Sequence, residues 1–254
     1  MRVVRGSQVT PTTVRTRAVG RFKHGVATTR ATTTATTQVT ATTVATTVAR
    51  KPVLITDDFS EPTADTLTWL TWSNGGGGSG ADQNGRLVLS LPSTPTFDST
   101  YDESDVTYDT QCRFPGNFDA RVDFALLTWP TGETVGADLS LFGPGLAEQI
   151  SRAAWSWLPD AYASYPNPGS APSADASGSL RIARTGGTVT TYFARDGQWR
   201  VLTSRPVPGP VSVAIAVSAS GSDWHGSPVS VAFDNFSLTA SDAGCPAGSD
   251  PRGP

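Results

Sequence analysis

The chain predicts an all-β fold, a two-sheet antiparallel sandwich of jelly-roll type with a disordered N-terminal arm, and three observations carry the prediction. Ser179 to Leu202 holds two tight-turn signals, Gly186-Gly187 and Asp196-Gly197, which cut it into three alternating runs. Residues of those types supply the positive φ that two-residue hairpin loops need, so the segment reads as a three-stranded meander. In Phe118–Trp129, Phe118, Ala120, Val122, Phe124 and Leu126 point one way while Asp119, Arg121 and Asp123 point the other. Roughly a dozen such runs follow one another at short, even spacing, with no convincing amphipathic helix among them.

Residues 1–51 stand apart. They carry nine Arg and Lys and no Asp or Glu, and from Ala27 onward Ala and Val alternate with Thr pairs without a helical period. So few bulky apolar groups cannot offset the entropy of ordering, and this arm is expected to be disordered. Its composition fits a Thr-rich stalk bearing O-linked sugars, an organelle transit peptide, or translated repeat DNA ahead of a later start. No apolar core of secretory-signal length follows the basic start. The remainder holds ten Arg, no Lys and all 22 acids, a net charge of −12. A basic footprint dominates nucleic-acid binding, which excludes nucleic acid as the ligand of this acidic body. No apolar run approaches the ~18 residues of a membrane span.

The folded body is placed at residues 52–240, large enough to bury a core of Val, Leu, Ile, Phe and part of the seven Trp. Val53–Phe59 opens it and Thr66–Trp72 follows. Gly75–Gly80 reads as a flexible loop. Its formal G-x-G-x-x-G leads into another strand, Arg86–Leu91, and not into the helix whose N-terminus would hold a pyrophosphate, so a dinucleotide site is excluded. Val106–Phe114, Phe118–Trp129, Val135–Phe142, Gln149–Trp157 and Ala161–Tyr165 come next. A Pro/Ser/Ala loop from Pro166 to Ser177 leads into the meander, then Val211–Ser218 and Val229–Leu238 close the body before a flexible tail, 241–254. Cys112 and Cys245 lack metal-site spacing; they form either one structural disulfide of an exported protein or two unpaired thiols.

Several segments carry a family likeness: Asp57-Asp58-Phe59, a Trp-containing second strand, Gly85-Arg86-Leu87-Val88-Leu89, and Phe118 to Phe124 leading to Leu126-Leu127-Thr128-Trp129-Pro130. Gly178 to Gly186, Asp196-Gly197-Gln198-Trp199 and Phe233-Asp234-Asn235-Phe236 complete the set. In this order they resemble the bacterial concanavalin A-like lectin/glucanase jelly rolls, laminin-G-like domains included. The resemblance implies a curved sandwich, an extracellular or cell-surface setting, and association with carbohydrate-active or adhesive proteins. It does not by itself imply catalysis. It also implies a structural calcium where the terminal strands meet, with Asp58 and Asp234 at the matching positions; the alternative is that both aspartates bond turn amides. Trp69, Trp129 and Trp199 fall at motif positions and are expected in the core.

Glycoside hydrolysis needs two carboxyls about 5–10 Å apart across a cleft. The Glu-x-Asp-x-x-Glu strand of catalytic glucanases of this superfamily is absent, and the glutamates are Glu61, Glu103, Glu133 and Glu148. Asp119 and Asp123 share a face, but four residues of strand separate them by ~13 Å, so they read as a solvated surface. Asp102, Glu103 and Asp105 form an acidic turn in which Glu103 and Asp105 come within reach of each other. A nucleophilic triad would need His24 or His225, and no Gly-x-Ser-x-Gly elbow exists.

Sugar binding asks for less: aromatic faces to stack on pyranose C–H groups, with Asp, Asn or Arg nearby for hydroxyls. The candidates are Trp155 and Trp157, at i and i+2 on one face with Ala153 leaving room, Tyr162 and Tyr165 around a turn near Asp160 and Asn167, and Trp224. Core packing competes for the tryptophan pair. The expectation is a non-catalytic carbohydrate-binding or adhesive domain whose partner is a polysaccharide or glycan. Two alternatives stay open: a polysaccharide hydrolase or lyase with an atypical carboxylate pair, and a structural or protein-binding sandwich.

Overall fold

The computed structural model describes residues 52–60, 69–97, 100, 102–144, 146–156, 159–166, 168–221 and 226–245. The arm, most of the tail, Trp157, Asn167, Trp224 and His225 lie outside them. Among the described residues there is no α-helix. The strands are β1 (Val53–Asp57), β2 (Leu70–Trp72), β3 (Ser79–Asp82), β4 (Leu87–Leu91), β5 (Glu103–Asp109), β6 (Phe118–Thr128), β7 (Val135–Gly143) and β8 (Leu146–Ala154). They continue as β9 (Ala161–Tyr165), β10 (Gly169–Pro172), β11 (Ser177–Thr185), β12 (Thr188–Arg195), β13 (Gln198–Pro206), β14 (Ser212–Ser220) and β15 (Val229–Ala240). Two antiparallel sheets form the sandwich. One runs β13-β12-β11-β6-β15-β4-β3 with β1 added on β15; the other runs β10-β9-β8-β7-β14-β5-β2.

Strand β15 organises the eight-stranded sheet. It pairs with β6 along its length, with β4 over Val229–Phe233, and with β1 over Phe236–Ala240. The change of partner falls at a bulge between Asp234 and Ser237, where Asn235 adopts φ 51°. A bulge lets one strand serve two neighbours in succession without breaking the pleat on either side. The expected meander is present as β11-β12-β13, and all four turn residues have positive φ: Gly186 58°, Gly187 84°, Asp196 54° and Gly197 69°. These are the signs that a type I′ hairpin requires.

The core lies between the sheets. Leu87, Leu89, Val122, Phe124, Leu180, Ile182, Val231, Phe233 and Leu238 face it from one side; Val106, Leu139, Leu141, Ile150, Val213, Ile215 and Val217 face it from the other. Burial of each such side chain contributes about 1.5–3 kcal/mol. Two charged groups that enter this interior do so with partners. Arg184 donates to the carbonyls of Gly116 (2.8 Å), Gly209 (2.6 Å) and Phe114, and Glu148 is paired with Arg205.

Four expectations are corrected. The Gly75–Gly80 segment is not a free loop, since β3 begins at Ser79. A Cβ on Gly75 would stand 1.8 Å from the Thr96 carbonyl oxygen and one on Gly80 2.5 Å from the Tyr108 ring, so close approach is what these glycines permit. The Pro166–Ser177 stretch contains β10, an edge strand where Pro172 can sit without breaking a central ladder. Strand β8 ends at Ala154, which leaves Trp155 just beyond it. Trp199 is on the outer surface of its sheet with the Arg181 guanidinium 5.6 Å from its ring centroid, because a bulge at Leu202 of β13 shifts the pairing of the β12–β13 hairpin.

Cys112 and Cys245 are joined by a disulfide spanning 133 residues, tying the segment after β5 to the tail. Closing a loop of that length in the unfolded chain is worth about 4–5 kcal/mol. A Cys112→Ser/Cys245→Ser variant is therefore expected to lose about that much stability in urea unfolding. An unchanged midpoint would show that the bridge does not constrain the unfolded chain.

Candidate functional site

The pleat that fills the core also composes the outer face of the seven-stranded sheet. On β5, with Val106 inward, Glu103, Asp105, Thr107 and Asp109 point outward. Strand β14 adds Ala214, Ala216 and Ser218; β7 adds Gly136, Asp138 and Ser140; β8 adds Gln149, Ser151 and Ala153. Small side chains across three adjacent strands leave a groove of about 440 Å³, whose lining includes Glu103, Gly136, Gln149, Ser151, Trp155 and Tyr165. Trp155 is half-buried and Tyr165 is 62% exposed. Tyr165 pairs with Gln149 in register, six positions before Trp155, so the rings are separated along the strands by roughly 20 Å.

Carboxylates crowd this face. Asp105 accepts from Asn74 Nδ2 at 2.6 Å and Thr107 Oγ1 at 3.2 Å; Asp109 accepts from Ser212 Oγ at 2.5 Å and the Gln111 amide at 2.6 Å. Asp138 is only 2% exposed and accepts from Ser218 Oγ at 2.7 Å through Oδ2, while its Oδ1 is buried with no hydrogen bond. Gly136 makes room for it: a Cβ there would lie 2.5 Å from that same oxygen. Burial pushes the Glu103 carboxyl up to about 7, helped by the charges of Asp105 and Asp138. Burial likewise raises Asp138 to about 6, partly opposed by Ser151, Ser218 and Gln149. Asp105 and Asp109 are also raised by burial, against the hydrogen bonds that favour their charged forms.

The sequence-predicted residues divide. Trp155 and Tyr165 come together on the groove. Trp157 and Trp224 lie outside the described residues. Tyr162 is a correction: it is fully buried, stacked on Phe193 at 4.4 Å, with its hydroxyl donating to Asp175 at 3.0 Å, because on β9 the parity that exposes Tyr165 turns Tyr162 inward. Of the acidic turn, Asp102 and Glu103 line the groove and Asp105 stands on the same face. Asp138 and Gly136 were missed, since VGADLSLF reads as an ordinary buried strand and only its neighbours reveal the outward carboxylate. Asp119 is held in a bidentate pair by Arg181 (Nε to Oδ1, 2.8 Å), and Asp123 accepts from Ser179 (2.6 Å) and Asn235 (3.0 Å).

Asp58 and Asp234 approach one another in sequence register, as Asp57 pairs with Phe236. Their carboxylates are engaged locally. Asp58 accepts from the Ser60 hydroxyl at 2.7 Å and its amide at 3.1 Å, which lowers its pKa; Asp234 accepts from the Asn235 amide at 2.7 Å and sits 3.7 Å from Arg86. A guanidinium already stands beside Asp234, no group of three metal-ligating side chains gathers among the described residues, and both carboxylates accept from nearby amides as the turn-amide alternative expects.

Solved structures place the architecture. The chain is similar to a Bauhinia forficata lectin in complex with GalNAc, with 12% identity and a TM-score of 0.50 over 76% of this chain and 100% of that one. The concanavalin A-like fold is shared. A β-1,3-1,4-glucanase (lichenase) from a mouse hindgut metagenome matches at 14% identity and TM-score 0.50 over 74% of this chain and 99% of that one. The endo-β-galactosidase of Clostridium perfringens that releases GlcNAcα1-4Gal matches at 14% and 0.52, over 76% and 64% of the two chains. No family model and no curated protein sequence matches this chain.

Two outcomes are expected. A carboxyl raised in the folded state stabilises the fold fully below its unfolded pKa, and that stability is lost as pH rises through the folded value. Stability should thus fall between pH 4.5 and about 7 through Glu103. Glu103→Gln should flatten that decline and gain on the order of 1–2 kcal/mol at pH 8 once solvent screening is allowed for, read from urea midpoints across pH. Thermal melts in millimolar calcium and in chelator should coincide; a higher melting temperature with calcium would show that the Asp58–Asp234 region rearranges to bind it.

Proposed function

We propose that this protein is a carbohydrate-binding domain that seats a glycan in the groove on the outer face of the seven-stranded sheet. The observation that carries this reading is the groove itself, with an aromatic ring toward each end and carboxylate, amide and hydroxyl groups between. Rings accept the apolar C–H faces of pyranoses while the polar floor takes up their hydroxyls, the mix of apolar wall and few polar anchors that ligand sites use. The shared fold of a GalNAc-bound lectin supports the reading. The Cys112–Cys245 bridge supports an oxidising, extracellular or cell-surface setting.

Hydrolysis is the second reading, and Glu103 favours it: a carboxyl held near pH 7 beside other acids has the character of a glycosidase general acid. The difficulty is its partner. Asp138 is buried against Gly136, and Asp105 is buried and bonded to Asn74 and Thr107, so neither offers an open second carboxylate to a sugar. Binding without bond cleavage is the better supported activity.

Glycan-array retention by the full chain tests the proposal, with reducing-end release measured on the retained glycans. Trp155→Ala is expected to weaken binding about tenfold or more, and Tyr165→Ala to weaken it less. Unchanged binding in both variants removes the groove as the site, and release of reducing ends that Glu103→Gln abolishes would favour hydrolysis.

A further inference from the structure

We infer that the groove selects glycans bearing free amino groups, that is, polymers or oligomers of deacetylated amino sugars carried as ammonium ions. The inference rests on the carbohydrate-binding reading and specifies the ligand class of that site. It follows from the sign of the charge. Asp102 and Glu103 line the groove, Asp105 and Asp138 stand on the same face, and no Arg, Lys or His is among the described lining residues. Arg113, which does reach β14, is held at the opposite end of that strand by the Phe142 carbonyl (3.1 Å) and Ser212 Oγ (3.0 Å). A cleft walled by low-dielectric protein and lined with one sign of charge focuses its field, attracting cations and repelling anions.

Asp138 supplies the second observation. Its Oδ1 is buried without a hydrogen bond against Gly136, a residue that lines the groove, 2.5 Å from where a Cβ there would stand. A buried carboxylate with one oxygen left unpaired is costly, and a nearby cation offsets that cost in a way that a neutral hydroxyl does not. An ammonium on a pyranose meets both demands of the groove, an apolar face for Trp155 or Tyr165 and a positive charge for the acids. Uronic or sulfated sugars would set like charge against like.

Titration calorimetry on the full chain with tetrasaccharides of glucosamine, N-acetylglucosamine, glucose and galacturonic acid, at low and at high salt, tests the inference. At low salt the glucosamine oligomer is expected to bind at least tenfold more tightly than the N-acetylated and neutral ones, with the uronate weakest. The margin is expected to shrink in high salt as the charges are screened. Glu103→Gln should narrow the ratio of amine to neutral affinity. Asp138→Asn should narrow it too, in a protein that remains folded because a buried charge has been replaced by a neutral isostere. Equal affinity for acetylated, neutral and free-amine oligomers overturns the selectivity while leaving glycan binding standing, as does a ratio untouched by both substitutions. Binding of none of the four overturns the carbohydrate-binding reading and this inference with it.

Discussion

The two-residue period of the β-pleat is the constraint on which everything else in this protein depends. Four strands of the seven-stranded sheet have two masters: the positions that supply Val106, Leu139, Ile150 and Ile215 to the dry interior alternate with the positions that supply Glu103, Gly136, Ser151 and Ser218 to the groove. A slip of one residue in any pairing would exchange the two sets. The apolar half of each strand therefore holds the outward half in register.

That arrangement places chemistry where stability would not choose it. Asp105, Asp109 and Asp138 are buried on an outer face, where each loses hydration that its hydrogen bonds only partly replace. Local conflicts of this kind, set against an otherwise consistent fold, concentrate at functional surfaces. The opposite face of the molecule makes the contrast. On the eight-stranded sheet the outward acids Asp119 and Asp123 are matched by Arg181, Ser179 and Asn235. Charge on one sheet is neutralised; on the other it is left in excess.

Glycine carries more of the site than its chemistry announces. Gly136 lets the Asp138 carboxylate lean under the floor of the groove, and Gly80 lets β3 pass close to Tyr108. At Gly80 the place of the missing Cβ is taken by a neighbour distant in sequence, so a loop reading drawn from local composition points the wrong way.

What the sequence by itself determined is whatever depends on near neighbours. Alternation in Phe118–Thr128, the hairpin turns at Gly186-Gly187 and Asp196-Gly197, and the even spacing of short runs announce an all-β sandwich, because side-chain period and backbone φ are local properties. Trp155 and Tyr165 were legible as aromatic candidates for the same reason. The tertiary structure alone decided that Tyr162 belongs to the core and that Asp138 joins Glu103 across an intervening strand. It also decided that Trp199 lies outside and that Cys112 meets Cys245. Those facts depend on which strands lie side by side and in what register, and that order is a property of the closed pair of sheets, written in no single stretch of chain.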